Sequence, residues 1–206
     1  AVFERFCAGP QVVIGSSMGG WMALLLAREI RRRGIKSASL AGLVLIAPAC
    51  NPYPWKPAWW ARLSAQPVIG DLFCNLIIPW LGPPMSPQSV ANNFWPAPVP
   101  VNYLEHAGVP MIFKPRAFRA SAFDVVASNT EFGAQQPRYA ELFTPTIIVT
   151  AEKDKIVSPK RHARALAVDM PAAELVIAPD TGHMPHRLRT DLIVAAIRRV
   201  SEIIAA

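Results

Sequence analysis

The sequence predicts an α/β protein: a parallel sheet flanked by helices, interrupted by a helical insertion. Three observations predict it. First, Val12-Val13-Ile14 runs into the tight turn Gly15-Ser16-Ser17-Met18-Gly19-Gly20, and a strongly apolar helical stretch follows over residues 21–30. Second, Gly42-Leu43-Val44-Leu45-Ile46-Ala47 is a continuous apolar run. Such runs suit a parallel strand covered on both faces, and strand, helix and strand then make a βαβ unit. Third, the same alternation returns after residue 140, with Thr146-Ile147-Ile148-Val149-Thr150-Ala151 as its clearest strand.

In chain order, residues 1–9 read as the tail of a helix, 11–16 as a strand and 18–33 as a helix. That helix is apolar on nearly all sides up to Ala27, so burial is expected. From residue 51 to 100 the composition shifts, with eleven of the 21 prolines and five of the six tryptophans. Short helices and turns are expected over 55–140, broken by Pro and Gly around 67–79, with one longer helix from Pro115 to about Ser128. The strand at 146–151 leads into the polar loop Glu152-Lys153-Asp154-Lys155. Ser158-Pro159 has the form of a helix start, with Ser as cap and Pro in the first position, and that helix runs to about Val168. A strand at 174–178 and a closing helix over about 188–204 complete the pattern, the latter with Leu192, Ile193, Ala196, Ile197 and Val200 on one face.

Composition narrows the function classes. The chain has 206 residues, 52% hydrophobic and 17% charged, enough for one domain with an insertion and a large core. No run of about 20 apolar residues lacks Pro, Gly or charge, so no membrane-spanning helix is expected. The opening Ala-Val-Phe-Glu-Arg-Phe has no signal-peptide pattern, and the expected compartment is the cytoplasm. The net charge of +7 raises the question of nucleic acid. The basic residues are scattered, however. Arg31-Arg32-Arg33 closes the first helix just before Gly34, where positive charge suits the helix dipole. Arg198-Arg199 lies in the last helix, and no aromatic-basic interleaving appears. No nucleic-acid partner is expected. Cys7, Cys50 and Cys74 are odd in number and widely spaced, which fits small buried residues better than disulfides or zinc.

The chemistry is carried by three loops. Gly15-x-Ser17-x-Gly19 between a strand and a helix has the spacing of a nucleophile elbow. A serine hydroxyl is a weak nucleophile and must stand clear of the backbone so that a base can reach it. Glycines two residues before and after the serine are expected to remove Cβ atoms that would collide in the turn. The helix N-terminus points at the site, so the Met18 N–H is the expected donor to an oxyanion. Asp154 and His183 follow the strands ending at Ala151 and Ala178, and loops at the carboxyl ends of parallel strands are where such groups converge. His183 is the expected general base and Asp154 the acid that orients it. Asp180 in place of Asp154 and His186 in place of His183 stay open as alternatives. His183-x-x-His186 with Asp180 could suggest a metal, but neither metal nor cofactor is expected. His162 and His106 read as surface or packing residues, and Trp21 as a packing residue. The turn lacks Gly-Lys-Ser/Thr and G-x-G-x-x-G, so it is not read as a nucleotide loop.

Gly15-Ser16-Ser17-Met18-Gly19-Gly20-Trp21, Glu152-Lys153-Asp154-Lys155-Ile156-Val157 and Thr181-Gly182-His183-Met184-Pro185, in that order, resemble the elbow, acid loop and Gly-His loop of the α/β-hydrolase superfamily, in its lid-bearing serine esterase-like branch. The resemblance covers about 11–48 and 138–205. It implies an α/β-hydrolase fold, with residues 1–50 and 141–206 as a partial core and 51–140 as a helical lid. The family has further strands before the elbow and a loop there that gives a second oxyanion donor. Nothing before Val12 matches that loop, so the chain is expected to hold the second half of the sheet and to be a feeble, poorly soluble hydrolase by itself. The activity implied is hydrolysis of a carboxylic ester with an apolar acyl or aryl group, a small-molecule substrate. Thioester or C–C bond hydrolysis, perhydrolysis, acyl transfer, or a ligand-binding relative without activity are the alternatives. Oligomeric state is not readable.

Overall fold

The computed structural model describes residues 9–34 and 40–205. Apart from Gly9, the helix tail expected at the start lies outside the described residues, as does Cys7. The strands are β1 (Gln11–Ser16), β2 (Leu40–Ile46), β3 (Thr146–Ala151) and β4 (Ala173–Ala178). The α-helices among the described residues are α1 (Met18–Arg32), α2 (Trp59–Ser64), α3 (Ile69–Leu76), α4 (Ile78–Phe94), α5 (Tyr103–His106), α6 (Pro115–Gln135), α7 (Ala163–Asp169), α8 (Pro185–Leu188) and α9 (Thr190–Ala205). The chain divides into two units, Ala1–Asn51 with Gln135–Ala206, and Pro52–Ala134.

The first unit is a four-stranded sheet in the order β1-β2-β3-β4. Each neighbouring pair is parallel, with Ile14 opposite Val44, Val44 opposite Ile147 and Ile147 opposite Glu174. Successive side chains on a strand point to opposite faces. Leu43, Leu45 and Ile148 therefore meet Leu24, Ala27 and Ile30 of α1 and Leu166 of α7 on one face. Val44, Ile46, Ile147 and Val149 meet Ile193, Ala196 and Val200 of α9 on the other. Each such Leu, Ile or Val side chain, fully buried, contributes about 1.5–3 kcal/mol. This is why β2 reads as an unbroken apolar run and not as an alternation.

The second unit contains helices and no strand among its described residues. Asn129 of α6 clasps its start, accepting from the Tyr53 amide at 2.8 Å and donating to the Tyr53 carbonyl at 2.9 Å. Arg119 of α6 pairs with Asp71 of α3 and donates to the Ser64 carbonyl at 3.3 Å.

Several boundaries differ from expectation for physical reasons. α6 runs on to Gln135, since no proline interrupts it before Pro137 and a single interior Gly133 costs only about 1 kcal/mol. α4 passes through Pro83, Pro84 and Pro87. The Pro83 carbonyl would take the amide hydrogen of residue 87, which proline lacks; the Ser86 hydroxyl donates to it instead at 2.8 Å. α7 begins at Ala163 and not at Ser158-Pro159, which form a turn. The closing helix is preceded by the short α8.

Several of the basic residues pair with acids at the surface. Arg32 and Arg33 hold Glu29, whose carboxyl they lower to about 2. Arg199 holds Glu174, and Arg189 holds Asp191. Cys50 and Cys74 are buried free thiols, and burial pushes the Cys50 thiol well above its usual range.

Candidate active site

Ser17 stands between β1 and α1 with φ 53° and ψ −120°, a backbone conformation that non-glycine residues rarely adopt. Three backbone hydrogen bonds hold it there. Its amide donates to the Ile46 carbonyl at 2.9 Å, and its carbonyl accepts from the amides of Gly20 at 3.0 Å and Ala49 at 3.1 Å. A serine before a helix ordinarily turns its hydroxyl onto the first-turn amides. Ser17 makes no such cap bond. Its Oγ lies instead 3.0 Å from His183 Nε2.

The glycines of the turn have unequal roles. A Cβ on Gly15 would lie 2.3 Å from the Gly19 carbonyl oxygen and 2.8 Å from Gly20 Cα, all of it backbone that cannot retreat. The expectation for Gly19 is corrected: a Cβ there meets nothing within 4 Å. Position 19 already lies within α1, beside open space. The second crowded position is Gly20, where a Cβ would lie 2.7 Å from Pro48 Cβ. The crowding is thus one-sided: the first turn of α1 leans on residue 15 and on the chain leaving β2.

Asp154 follows β3 and its side chain is wholly buried. Burying a carboxylate is costly unless it is hydrogen-bonded. Oδ1 accepts from the Ile156 and Val157 amides, both at 2.8 Å, and Oδ2 lies 2.7 Å from His183 Nδ1. His183 follows β4 and is nearly buried. A carboxylate only accepts, so Nδ1 carries the proton and Nε2 presents its lone pair to the Ser17 hydroxyl. The two loops are tied together: the Lys153 amide donates to the Thr181 carbonyl at 2.9 Å, and the Asp180 amide to Glu152 Oε2 at 3.1 Å.

The alternatives are placed elsewhere. Asp180 is exposed and pairs with Lys153, which lowers its carboxyl. His186 sits on α8, its pKa lowered by burial foremost and then by Arg187 and His183. Its Nδ1 has no hydrogen-bond partner among the described residues. His106 is exposed and Trp21 is buried in the core. Met18 is the first residue of α1, so its amide is one of four without a partner in the helix.

His162, expected as a surface or packing residue, is fully buried. Its Nδ1 accepts from the Cys50 amide at 3.1 Å and the Asn51 amide at 3.0 Å. Burial foremost, and then Arg161, lowers its pKa to about 4, against an opposing pull from Asp154.

The loops at the carboxyl ends of β1, β3 and β4 bring Ser17, Asp154 and His183 together, in the chain order Ser, Asp, His. A model of the alpha/beta hydrolase family matches residues 1–196, and the chain belongs to that family. Solved structures agree in fold. A thermophilic esterase from Thermogutta terrifontis is 21% identical with a TM-score of 0.64, matching 96% of this chain and 66% of its own. Rv0554 from Mycobacterium tuberculosis is 18% identical with a TM-score of 0.69, over 100% of this chain and 70% of its own. The 2-hydroxy-6-oxo-6-phenylhexa-2,4-dienoate hydrolase from Rhodococcus sp. strain RHA1 is 18% identical with a TM-score of 0.65, over 97% and 66%. The chain thus spans about two thirds of the length of these proteins. No curated protein matches it.

Proposed function

We propose that the protein is a serine hydrolase of carboxylic esters with an apolar acyl or aryl group, acting through Ser17, His183 and Asp154 and an acyl-enzyme. The observation that carries this is the relay of 3.0 Å from Ser17 Oγ to His183 Nε2 and 2.7 Å from His183 Nδ1 to Asp154 Oδ2. In the first half-reaction Ser17 Oγ attacks the ester carbonyl while His183 Nε2 takes its proton. The tetrahedral oxyanion accepts from the Met18 amide. His183 then gives the proton to the leaving alkoxide as the C–O bond breaks. In the second half a water repeats the sequence, its proton going to His183 and then to Ser17 as the acid departs. Asp154 stays ionised and stabilises the imidazolium.

The test is acid quenching of the intact protein during turnover of a p-nitrophenyl ester, followed by peptide mass spectrometry. The acyl group is expected on the peptide containing Ser17. Ester turnover with the acyl group on another residue contradicts the reading.

We assign the second unit, Pro52–Ala134, which makes up most of the expected lid of 51–140, the role of choosing the substrate. Its tryptophans and its exposed Ile69, Leu72, Leu76 and Trp80 support an apolar acyl or aryl group, since ligand sites are mostly apolar. Trp80→Ala is expected to change the preference between long and short p-nitrophenyl esters, leaving the acetate within a few-fold of wild type. Equal losses on short and long esters would contradict a lid role.

A further inference from the structure

The segment from Ile46 to Asn51 touches both sides of the candidate site. At one end the Ile46 carbonyl accepts from the Ser17 amide at 2.9 Å, and the Ala49 amide donates to the Ser17 carbonyl at 3.1 Å. At the other end the Cys50 and Asn51 amides both point at His162 Nδ1, at 3.1 and 3.0 Å. Asn51 Nδ2 adds a bond to the Arg161 carbonyl at 2.7 Å, and the Tyr139 hydroxyl one to the Cys50 carbonyl at 2.5 Å. His162 closes the same loop that opens with Asp154, and its own amide donates to the Ser158 carbonyl at 3.0 Å. His162 is the residue immediately before α7, at φ −104° and ψ −79°.

We propose that His162 is a positioning residue for the reaction, a neutral double acceptor that pins the Ile46–Asn51 segment between the nucleophile turn and the acid loop. The proposal rests on the serine-hydrolase reading for its effect on rate, but not for its effect on structure. Two buried amides converge on one lone pair, and a buried N–H without an acceptor is costly. A proton on Nδ1 would face both amides and end both bonds. The charged and titratable groups around it are Arg161 and Asp154, with Cys50 and Tyr139 on the pinned side and Asp169 acting on those two. The folded state keeps the imidazole neutral down to about 4, whereas its ordinary value is 6.5. Between those values the unfolded chain binds the proton and the folded chain does not. Stability from this group is therefore complete above about 6.5, falls as pH drops through the interval, and is lost below about 4.

The experiment compares His162→Ala and His162→Asn in the intact protein. Asn places Oδ1 at the same branch point as Nδ1, keeps an acceptor and does not titrate. His162→Ala is expected to lower kcat on a short p-nitrophenyl ester at least about tenfold with KM within about twofold, the pattern of a transition-state effect. Amide exchange at Cys50 and Asn51 should accelerate, and the nuclear magnetic resonance signal of the His183 Nδ1 proton should weaken. His162→Asn should restore all three and remove the acid limb of stability between pH 6.5 and about 4. The exchange and proton signals are also read in Ser17→Ala, so they stand even where no ester is turned over. A folded His162→Ala with unchanged exchange and His183 signal overturns the proposal. So does a His162→Asn that behaves like His162→Ala; where His162→Ala does not fold, the Asn variant alone decides by its exchange, His183 signal and acid limb.

Discussion

Ser17→Ala is expected to abolish ester turnover, with kcat falling roughly 10⁶-fold, and His183→Ala to cost almost as much. The cause is the relay itself. Oγ lies 3.0 Å from His183 Nε2, and the proton transfer that activates the hydroxyl needs both partners. Because the two act as one unit, the double variant should be little worse than either single one. Asp154→Asn should cost less, roughly 10⁴-fold. The amide would donate to Nδ1, move the ring proton to Nε2, and present a donor where Ser17 needs an acceptor. Steady-state kinetics on p-nitrophenyl acetate, with circular dichroism to establish folding, checks all four variants. Ser17→Ala with wild-type turnover would remove the central role given to that residue.

Gly15→Ala is expected to be the most damaging small change in the turn, and Gly19→Ala the least. The Gly15 methyl would sit 2.3 Å from the Gly19 carbonyl oxygen. Neither chain can yield without moving Ser17, so a loss on the order of 3 kcal/mol is expected, as for overpacked cores. For a chain of this size that is a drop of roughly 6–12 °C in Tm. Gly19→Ala adds a methyl to open space within a helix, where alanine is favoured by up to about 1 kcal/mol over glycine. Gly20→Ala should fall between, its methyl pressing on the Pro48 ring. Thermal melts of the three variants order these effects. A Gly19→Ala protein less stable than Gly15→Ala would contradict the one-sided crowding.

Much of this was legible in the chain because the residues concerned answer to local rules. Leu43 to Ile46 had to be apolar throughout, since both faces of β2 are covered. Ser17, Asp154 and His183 can be grouped from sequence because each follows a strand, and strand ends converge. What escaped depends on long-range partners. Gly19 matched a pattern, but only the path of Pro48 shows that Gly20 is the crowded neighbour. Ser158-Pro159 has the local form of a helix start, yet α7 begins at Ala163, just after His162, whose Nδ1 accepts from two amides 111 and 112 residues away. Pro83, Pro84 and Pro87 argue against a helix locally. The Ser86 hydroxyl, one turn on, supplies the hydrogen bond that Pro87 cannot, and α4 continues.

Labelling with a fluorophosphonate tests the central claim most directly, because the reagent needs an activated serine and no particular ester. The account predicts one phosphonyl group per chain, on Ser17, with the rate falling at least about a hundredfold in a folded His183→Ala. Label on a different residue, or a folded protein that stays unlabelled while Ser17 and His183 remain intact, would contradict it.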